Sequence, residues 1–257
     1  MIIEWDGTLI LIIIGLGFLA AFIDAVVGGG GLISIPALLA IGMPPAAALG
    51  TNKLASAFGS LTSAIRFIRS GKVDLPIVVK LFPLSFIASI LGAIVAVYLP
   101  AELLKPLVIV VLSIVLIYTL LKKEWGSIRT YTTFHLYKMV LFTCLIVVIG
   151  FYDGFLGGGT GSFLLFVFLL LGFDFLSAAG NAKVLNFASN LGALLLFIYL
   201  GRVDYVYGLI MGVSMIAGSY AGAMFALKKG VGYVRILFVI VTVVLILKNV
   251  WDYISTH

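Results

Sequence analysis

Charged side chains are scarce in this chain of 257 residues: Asp, Glu, Lys and Arg together make up 10% of it. Soluble globular domains carry about 25% charged residues, so this composition argues against an ordinary soluble fold. Hydrophobic residues make up 63%, and apolar runs of about 20 residues, long enough to cross a bilayer, recur along the chain. We therefore predict an all-α, polytopic membrane protein that forms one integral membrane domain surrounded by lipid.

Cysteine and histidine are nearly absent. The single cysteine, Cys144, excludes an internal disulfide, and His135 and His257 provide no spacing typical of a zinc site. The stretch "GGGGLIS" lacks the Gly-Lys-Ser/Thr ending of a phosphate-binding loop, and no nucleophile–base arrangement is visible. We therefore predict no enzyme, no catalytic or metal site and no cofactor. The net charge of +6 fits basic residues that set membrane topology, and no nucleic acid partner is expected.

An internal repeat is the strongest signal that the sequence contains. The stretch "AFIDAVVGGGG" (21–31) resembles "GFYDGFLGGGTG" (150–161), and a constant shift of 130 residues holds beyond these stretches. The matching positions include Asp24 with Asp153, Lys53 with Lys183, Gly50 with Gly180, and "GKVD" (71–74) with "GRVD" (201–204). We predict a first membrane repeat at 1–122, a cytoplasmic linker at 123–133, and a second repeat at 134–257.

Each half contains a long apolar segment that reaches the glycines, a short apolar segment that follows them, and three longer helices. The predicted segments are about 8–27, 32–41, 46–69, 76–98 and 103–121, then about 136–153, 162–171, 176–200, 205–227 and 232–252. The short segments cannot cross a hydrocarbon core of about 30 Å alone. We therefore expect each long and short pair to form a re-entrant or broken-helix hairpin, with 8–27 retained as the first membrane helix.

The distribution of Lys and Arg predicts the orientation in the membrane. With the N-terminus outside, most basic residues fall on the cytoplasmic side, and Arg202 and Lys248 remain as exceptions. Each half then makes an odd number of crossings, so the two halves lie inverted relative to each other. We predict that both termini lie outside.

Inverted repeats with broken segments at equivalent positions are typical of secondary transporters. Irregular backbone at membrane depth is tolerated within protein or against a water-filled cavity, and glycine permits such backbone. Helices that begin near Leu32 and Ser162 would aim free N–H groups and partial positive charge at the breaks, which favours an anion site. The alternative is that the glycines only allow close helix packing.

Four ionisable residues within the predicted spans obey the repeat, and such residues are candidates for function. Lys53 and Lys183 either attract an anionic substrate, or they snorkel to the interface or pair across helices. Asp24 and Asp153 could cap the short helices, pair with the lysines, or carry a coupled proton. Polar residues, Ser56 among them, flank the lysines on one helix face. The candidate substrate-binding residues are Asp24, Gly28, Gly29, Gly30, Gly31, Thr51, Asn52, Lys53, Asp153, Gly157, Gly158, Gly159, Thr160, Asn181, Lys183, Asn186 and Asn190.

The segments "FIDAVVGGGGLISIPALLAIGMPPAAALGTNKLASAFGS" and "GFYDGFLGGGTGSFLLFVFLLLGFDFLSAAGNAKVLNFASNLGALLLF" resemble the two signature segments of the sulfite exporter TauE/SafE family, also called the 4-toluene sulfonate uptake permeases. The similarity looks closest to the YfcA-like branch and covers most of the chain. It implies a bacterial inner-membrane protein that moves small sulfur-containing anions such as sulfite or organosulfonates. Because Thr160 interrupts the second glycine run, we expect two unequal half-sites.

We interpret the chain as a secondary transporter that moves a small, sulfur-containing anion by alternating access through a site at the membrane midplane. Two alternatives are an anion channel and a membrane structural or assembly protein that carries no flux. A coupling proton or cation and a homo-oligomer stay open, as do the identity of the anion and the direction of transport.

Overall fold

The chain folds into helices joined by short turns. The computed structural model describes residues 7–98, 117, 128–130 and 136–254. Its helices are α1 (Gly7–Val27), α2 (Gly31–Ala40), α3 (Pro45–Arg69), α4 (Leu75–Ala96), α5 (Leu136–Phe155), α6 (Thr160–Leu170), α7 (Phe175–Tyr199), α8 (Tyr205–Lys229) and α9 (Val231–Ile254).

The prediction of an all-α fold is confirmed, and each described helix begins and ends within two residues of its predicted bounds. The predicted segments that follow the glycines, 32–41 and 162–171, correspond to α2 and α6, which begin at Gly31 and Thr160. The predicted helix at 103–121 and most of the predicted linker at 123–133 lie outside the described residues.

Proline and aspartate begin several of these helices. Pro45 occupies the start of α3, where a residue without an N–H group leaves no helical hydrogen bond unmade. Asp174 caps α7, because its carboxylate accepts hydrogen bonds at 3.0 Å from two backbone N–H groups of the first turn. Asp204 caps α8 in the same way. These residues are the local reason that the helices begin where the sequence predicts.

Glycines with positive φ recur at equivalent positions in the two halves. Gly42 and Gly172 follow the short helices with φ of +83° and +86°, and Gly71 and Gly201 follow α3 and α7 with φ of +70° and +63°. Left-handed backbone after a helix favours glycine, which has no Cβ to clash. The shift of 130 residues therefore holds in backbone conformation as well as in residue type.

Equivalent helices of the two halves run in opposite directions. Gly50 near the start of α3 lies against Phe197 near the end of α7, whereas Phe67 near the end of α3 lies against Gly180 near the start of α7. The helices α3 and α7 are therefore antiparallel. Other helix contacts also join the two halves. Helix α1 of the first half packs on α8 of the second, and its equivalent α5 packs on α4 of the first. This course matches the predicted inverted arrangement, whereas the orientation relative to the membrane stays a prediction.

The distribution of apolar surface is that of a membrane protein. Four described helices are long and apolar enough to cross a bilayer: α1, α4, α7 and α8. Large apolar side chains point outward from three of them, and Leu11, Val79 and Val213 are 63–70% exposed. In contrast, most of α6 and α7 is buried. The chain is therefore a polytopic membrane protein whose second short helix and second central helix lie in its interior.

Candidate functional site

The two breaks between long and short helices meet in the interior of the protein. The first break contains Gly28 and Gly29, with φ of +86° and +93°, and the second contains Gly157 and Gly159, with φ of +77° and +88°. The Ser162 hydroxyl donates a hydrogen bond of 3.0 Å to the backbone carbonyl of Val27. The breaks are therefore tied directly to each other.

Glycine is required at Gly28 for two reasons. Its φ is left-handed, and a Cβ at this position would collide with the backbone of Gly161 and Ser162 in the opposite break. The close approach of two main chains at this depth explains why the repeat keeps its glycines. The predicted alternative of close packing is thus correct for part of the motif, while the breaks themselves are real.

Two ion pairs join the halves at the breaks. The Lys183 ammonium on α7 lies 2.7 Å from Oδ2 of Asp24 at the end of α1. The Lys53 ammonium on α3 lies 3.1 Å from Oδ2 of Asp153 at the end of α5. Each aspartate therefore pairs with the lysine of the other half, which was one of the alternatives left open by the sequence.

Asp24 also caps the first short helix. Its Oδ1 accepts a hydrogen bond of 3.2 Å from the backbone N–H of Gly30, immediately before α2. Its Oδ2 is 3.4 Å from the side-chain amide of Asn186, in addition to its contact with Lys183. Capping and pairing are thus combined in one carboxylate. A partial positive charge at the start of α2 favours this arrangement.

Lys53 is held more tightly than its equivalent. Its ammonium donates hydrogen bonds to the backbone carbonyl of Asp153 at 2.5 Å and to Oδ1 of Asn190 at 3.2 Å. The side chains of Lys53 and Asp153 are 1% and 2% exposed. In the other pair, Lys183 is 2% exposed and Asp24 is 19% exposed. The two half-sites are therefore unequal, with the pair of Asp24 facing open space.

Neutral polar side chains extend the site along α3 and α7. Oδ1 of Asn52 accepts hydrogen bonds from Ser34 at 2.6 Å and from Ser56 at 3.4 Å. On α7, the amide group of Asn190 donates a hydrogen bond of 3.0 Å to Oδ1 of Asn186. The spacing of four residues places these polar groups on one face of each helix.

A central cavity lies between these polar faces and the two breaks. Including its mouth, it encloses about 400 Å³. Its lining contains two carboxylates with neutral amides, hydroxyls and backbone. The predicted site residues that line it are Asp24, Gly30, Gly31, Asn52, Asp153, Gly157, Asn186 and Asn190.

Other predicted residues do not line this cavity. Lys53 and Lys183 pair with carboxylates that line the cavity and do not line it themselves, so whether either lysine meets a substrate stays a prediction. Gly28, Gly29, Gly158, Gly159 and Thr160 belong to the breaks but are absent from the lining.

Thr51 and Asn181 occupy equivalent positions in the repeat and have equivalent structural roles. The Thr51 hydroxyl accepts a hydrogen bond of 2.9 Å from the backbone N–H of Asp204. Oδ1 of Asn181 accepts one of 2.7 Å from the backbone N–H of Asp74. The two residues therefore hold the turns "GRVD" and "GKVD" of the opposite half, and the structure does not bring them to the cavity.

Several lining residues were missed by the sequence analysis. They are Ala20, Ala21, Gly59, Ser60, Gly161, Met215 and Ser219, to which Ser56, noted only as a flanking residue, is added. The spacing of four from Asn52 through Ser56 predicts that Ser60 lies on the same face. The residues on α8 carry no comparable signal, because they come from a helix without charged or amide side chains in its middle.

Comparisons with known proteins give a consistent result. The family model described as "Sulfite exporter TauE/SafE" matches residues 13–249. The chain is 38% identical over 241 residues to the "Probable membrane transporter protein ORF9" of a Sinorhizobium species, covering 93% of this chain and 91% of that protein. It is 39% identical over 237 residues to the "Probable membrane transporter protein YfcA" of Escherichia coli (strain K12), covering 91% and 87%.

A third relative, a "Probable membrane transporter protein" of Haemophilus influenzae, is 38% identical over 247 residues and is covered over 95% of both chains. No solved structure gives a significant match. The similarity therefore extends over almost the whole chain.

Proposed function

Because the chain belongs to the sulfite exporter TauE/SafE family, whose members are membrane transporters and not enzymes, we propose that it is a secondary transporter of a small anion. The substrate binds in the central cavity and crosses the membrane by alternating access. The observation that carries this proposal is the meeting of two helix breaks, one from each half, at a polar cavity with paired charges.

The environment of the cavity supports a hydrophilic substrate. Asn52, Asn186, Asn190 and several serines line it, so a substrate in the cavity would meet hydrogen-bonding groups and not hydrocarbon. Amides and hydroxyls donate hydrogen bonds to oxyanions. We propose sulfite or a small organosulfonate as the substrate class, because the family description names sulfite.

The unequal packing of the two halves supports alternating access. Met215 and Ser219 on α8 line the cavity. Their equivalents on α4, Ser85 and Ser89, lie instead against other helices, since the Ser85 hydroxyl bonds to the carbonyl of Leu185 at 3.1 Å and Ser89 contacts Gly154. The cavity is therefore bordered by α8 but not by the equivalent helix α4, although the two halves are nearly symmetric. Exchange of the two packings between the halves would open the opposite side.

In this proposal the protein lies in the bacterial inner membrane, as the family resemblance implies, and both termini lie in the periplasm, as the positions of its basic residues predict. The breaks then lie at membrane depth, where irregular backbone requires either protein or water around it.

Transport by the purified protein in liposomes tests the proposal. Uptake of sulfite, methanesulfonate, sulfate, phosphate and acetate should reveal saturable flux of one or more anions. Asn52→Leu should abolish this flux, because it replaces a cavity amide by an apolar side chain. Thr51→Val is the matched control: it changes the preceding residue of the same helix, which faces a turn of the other half, and should keep the Michaelis constant of the wild type.

Three results would contradict this function. Flux of none of the anions would support a structural or assembly role. Flux that rises linearly with concentration would indicate a channel. Equal loss of flux in both variants would mean that the central cavity is not the path.

A further inference from the structure

We infer that the carboxylate of Asp24 occupies the anion-binding position of the site and that the transported anion must displace it from Lys183. In this arrangement Asp24 is an internal competitor for the substrate. This inference rests on the proposed function. It identifies Asp24 as the group that occupies the anion-binding position next to Lys183 in this structure.

The surroundings of Asp24 are those of a bound oxyanion. Three different donors converge on its carboxylate: the Lys183 ammonium at 2.7 Å, the Gly30 backbone N–H at 3.2 Å and the Asn186 amide at 3.4 Å. A lysine, an amide and the first N–H groups of a helix are a common donor set for sulfur and phosphorus oxyanions. Any small oxyanion that replaced the carboxylate would find the same three donors in place.

The position of Asp24 allows an anion to reach these donors. Asp24 lines the central cavity and is partly exposed, whereas Lys183 behind it is almost completely buried. An anion in the cavity therefore meets Asp24 before it meets Lys183. As long as the pair is closed, the ammonium charge is neutralised and the carboxylate repels the anion. Binding thus requires that the Asp24 side chain leaves the ammonium.

The other ion pair does not offer the same exchange. Lys53 keeps two oxygen partners besides the Asp153 carboxylate, namely the Asp153 backbone carbonyl and Oδ1 of Asn190. Within the described residues, the hydrogen bond that the structure gives Lys183 is to Asp24. Removal of the Asp24 charge therefore frees the Lys183 ammonium. Removal of the Asp153 charge leaves the Lys53 ammonium hydrogen-bonded to two other oxygens.

Anion binding to the full-length protein in detergent tests this inference. Isothermal titration with sulfite and with methanesulfonate should show that Asp24→Asn binds more tightly than the wild type by about tenfold or more, because the wild type binds only in the fraction of molecules whose Lys183 is free. Asp153→Asn should give no such gain. Asp174→Asn, which removes a carboxylate from a helix cap outside the cavity and keeps a good capping residue, controls for net charge.

Further variants keep the test decisive. Lys183→Met combined with Asp24→Asn should lose the gain in affinity, which locates the effect at the ammonium. If Asp24→Asn does not fold, Asp24→Ser removes the same charge with a smaller neutral side chain and should show the same gain.

The possible failures are distinguishable. If the wild type binds an anion and neither neutral variant binds it more tightly, Asp24 is a structural cap and the inference is overturned while the function stands. An equal gain in Asp153→Asn or Asp174→Asn would also overturn it, because the effect would then be one of general charge. If neither the wild type nor the Asp24 variants bind any anion, both the inference and the proposed function are overturned.

Discussion

Loss of the Lys53 charge should destabilise the protein strongly, because it would leave the Asp153 carboxylate buried without its cation. The two side chains are 1% and 2% exposed, so little water reaches the pair to replace the lost partner. Removal of one member of a buried ion pair costs about 3–5 kcal/mol. We therefore expect Lys53→Met to lower the free energy of unfolding by about that amount.

The structure also predicts how this cost compares with related variants. Replacement of both charges by neutral groups of similar size is often nearly neutral, so Lys53→Met combined with Asp153→Asn should recover most of the loss. Lys183→Met should cost less, about 1–3 kcal/mol, because Asp24 is 19% exposed and keeps its hydrogen bond from Gly30.

Equilibrium unfolding in mixed detergent micelles measures these differences, and the four proteins of a double-mutant cycle isolate the interaction between Lys53 and Asp153. A single-variant cost below about 1 kcal/mol would place the pair among exposed ion pairs and contradict the buried geometry. A double variant as unstable as Lys53→Met alone would show that the loss has another cause.

The remaining predictions concern the breaks, a helix cap, the linker and the topology. Gly28→Ala should prevent stable folding in thermal unfolding assays, because its Cβ meets the opposite break, whereas Gly42→Ala meets open space and should cost only about 1 kcal/mol for its positive φ. Asp204→Ala should cost about 1 kcal/mol of stability and Asp204→Asn much less, since Asn also caps helices; equal costs would exclude the cap as the cause. Arg129→Ala should cost at most about 1 kcal/mol, because its ion pair with Asp74 is exposed, and a larger loss would show that the linker holds the halves together. A reporter fused after His257 should read periplasmic, and a cytoplasmic signal would refute the topology.

The helices and the repeat could be predicted from the sequence because they depend on local chemistry. Pro45, Asp174 and Asp204 define helix starts through their own backbone and side-chain preferences. Glycines at matching positions adopt matching left-handed backbone in the two halves. Such signals act within a few residues, so the bounds of the described helices follow from the sequence to within two residues.

The partners in the site could not be predicted, because they depend on how the halves pack. Asp24 and Lys183 are 159 residues apart, and the sequence would equally allow Asp24 to pair with Lys53 of its own half. The polar pattern also could not separate Thr51 from Asn52. These neighbours occupy different faces of α3. Thr51 contacts a turn of the opposite half, whereas Asn52 lines the cavity.

Counterflow in liposomes tests the central claim, that this chain is a carrier with one alternating site, most directly. Vesicles that contain the purified protein are preloaded with unlabelled anion, and the initial uptake of the same labelled anion is compared with uptake into empty vesicles. We expect saturable uptake that preloading accelerates, because the loaded carrier returns across the membrane with substrate bound. Uptake that is linear in concentration and unaffected by preloading would contradict it.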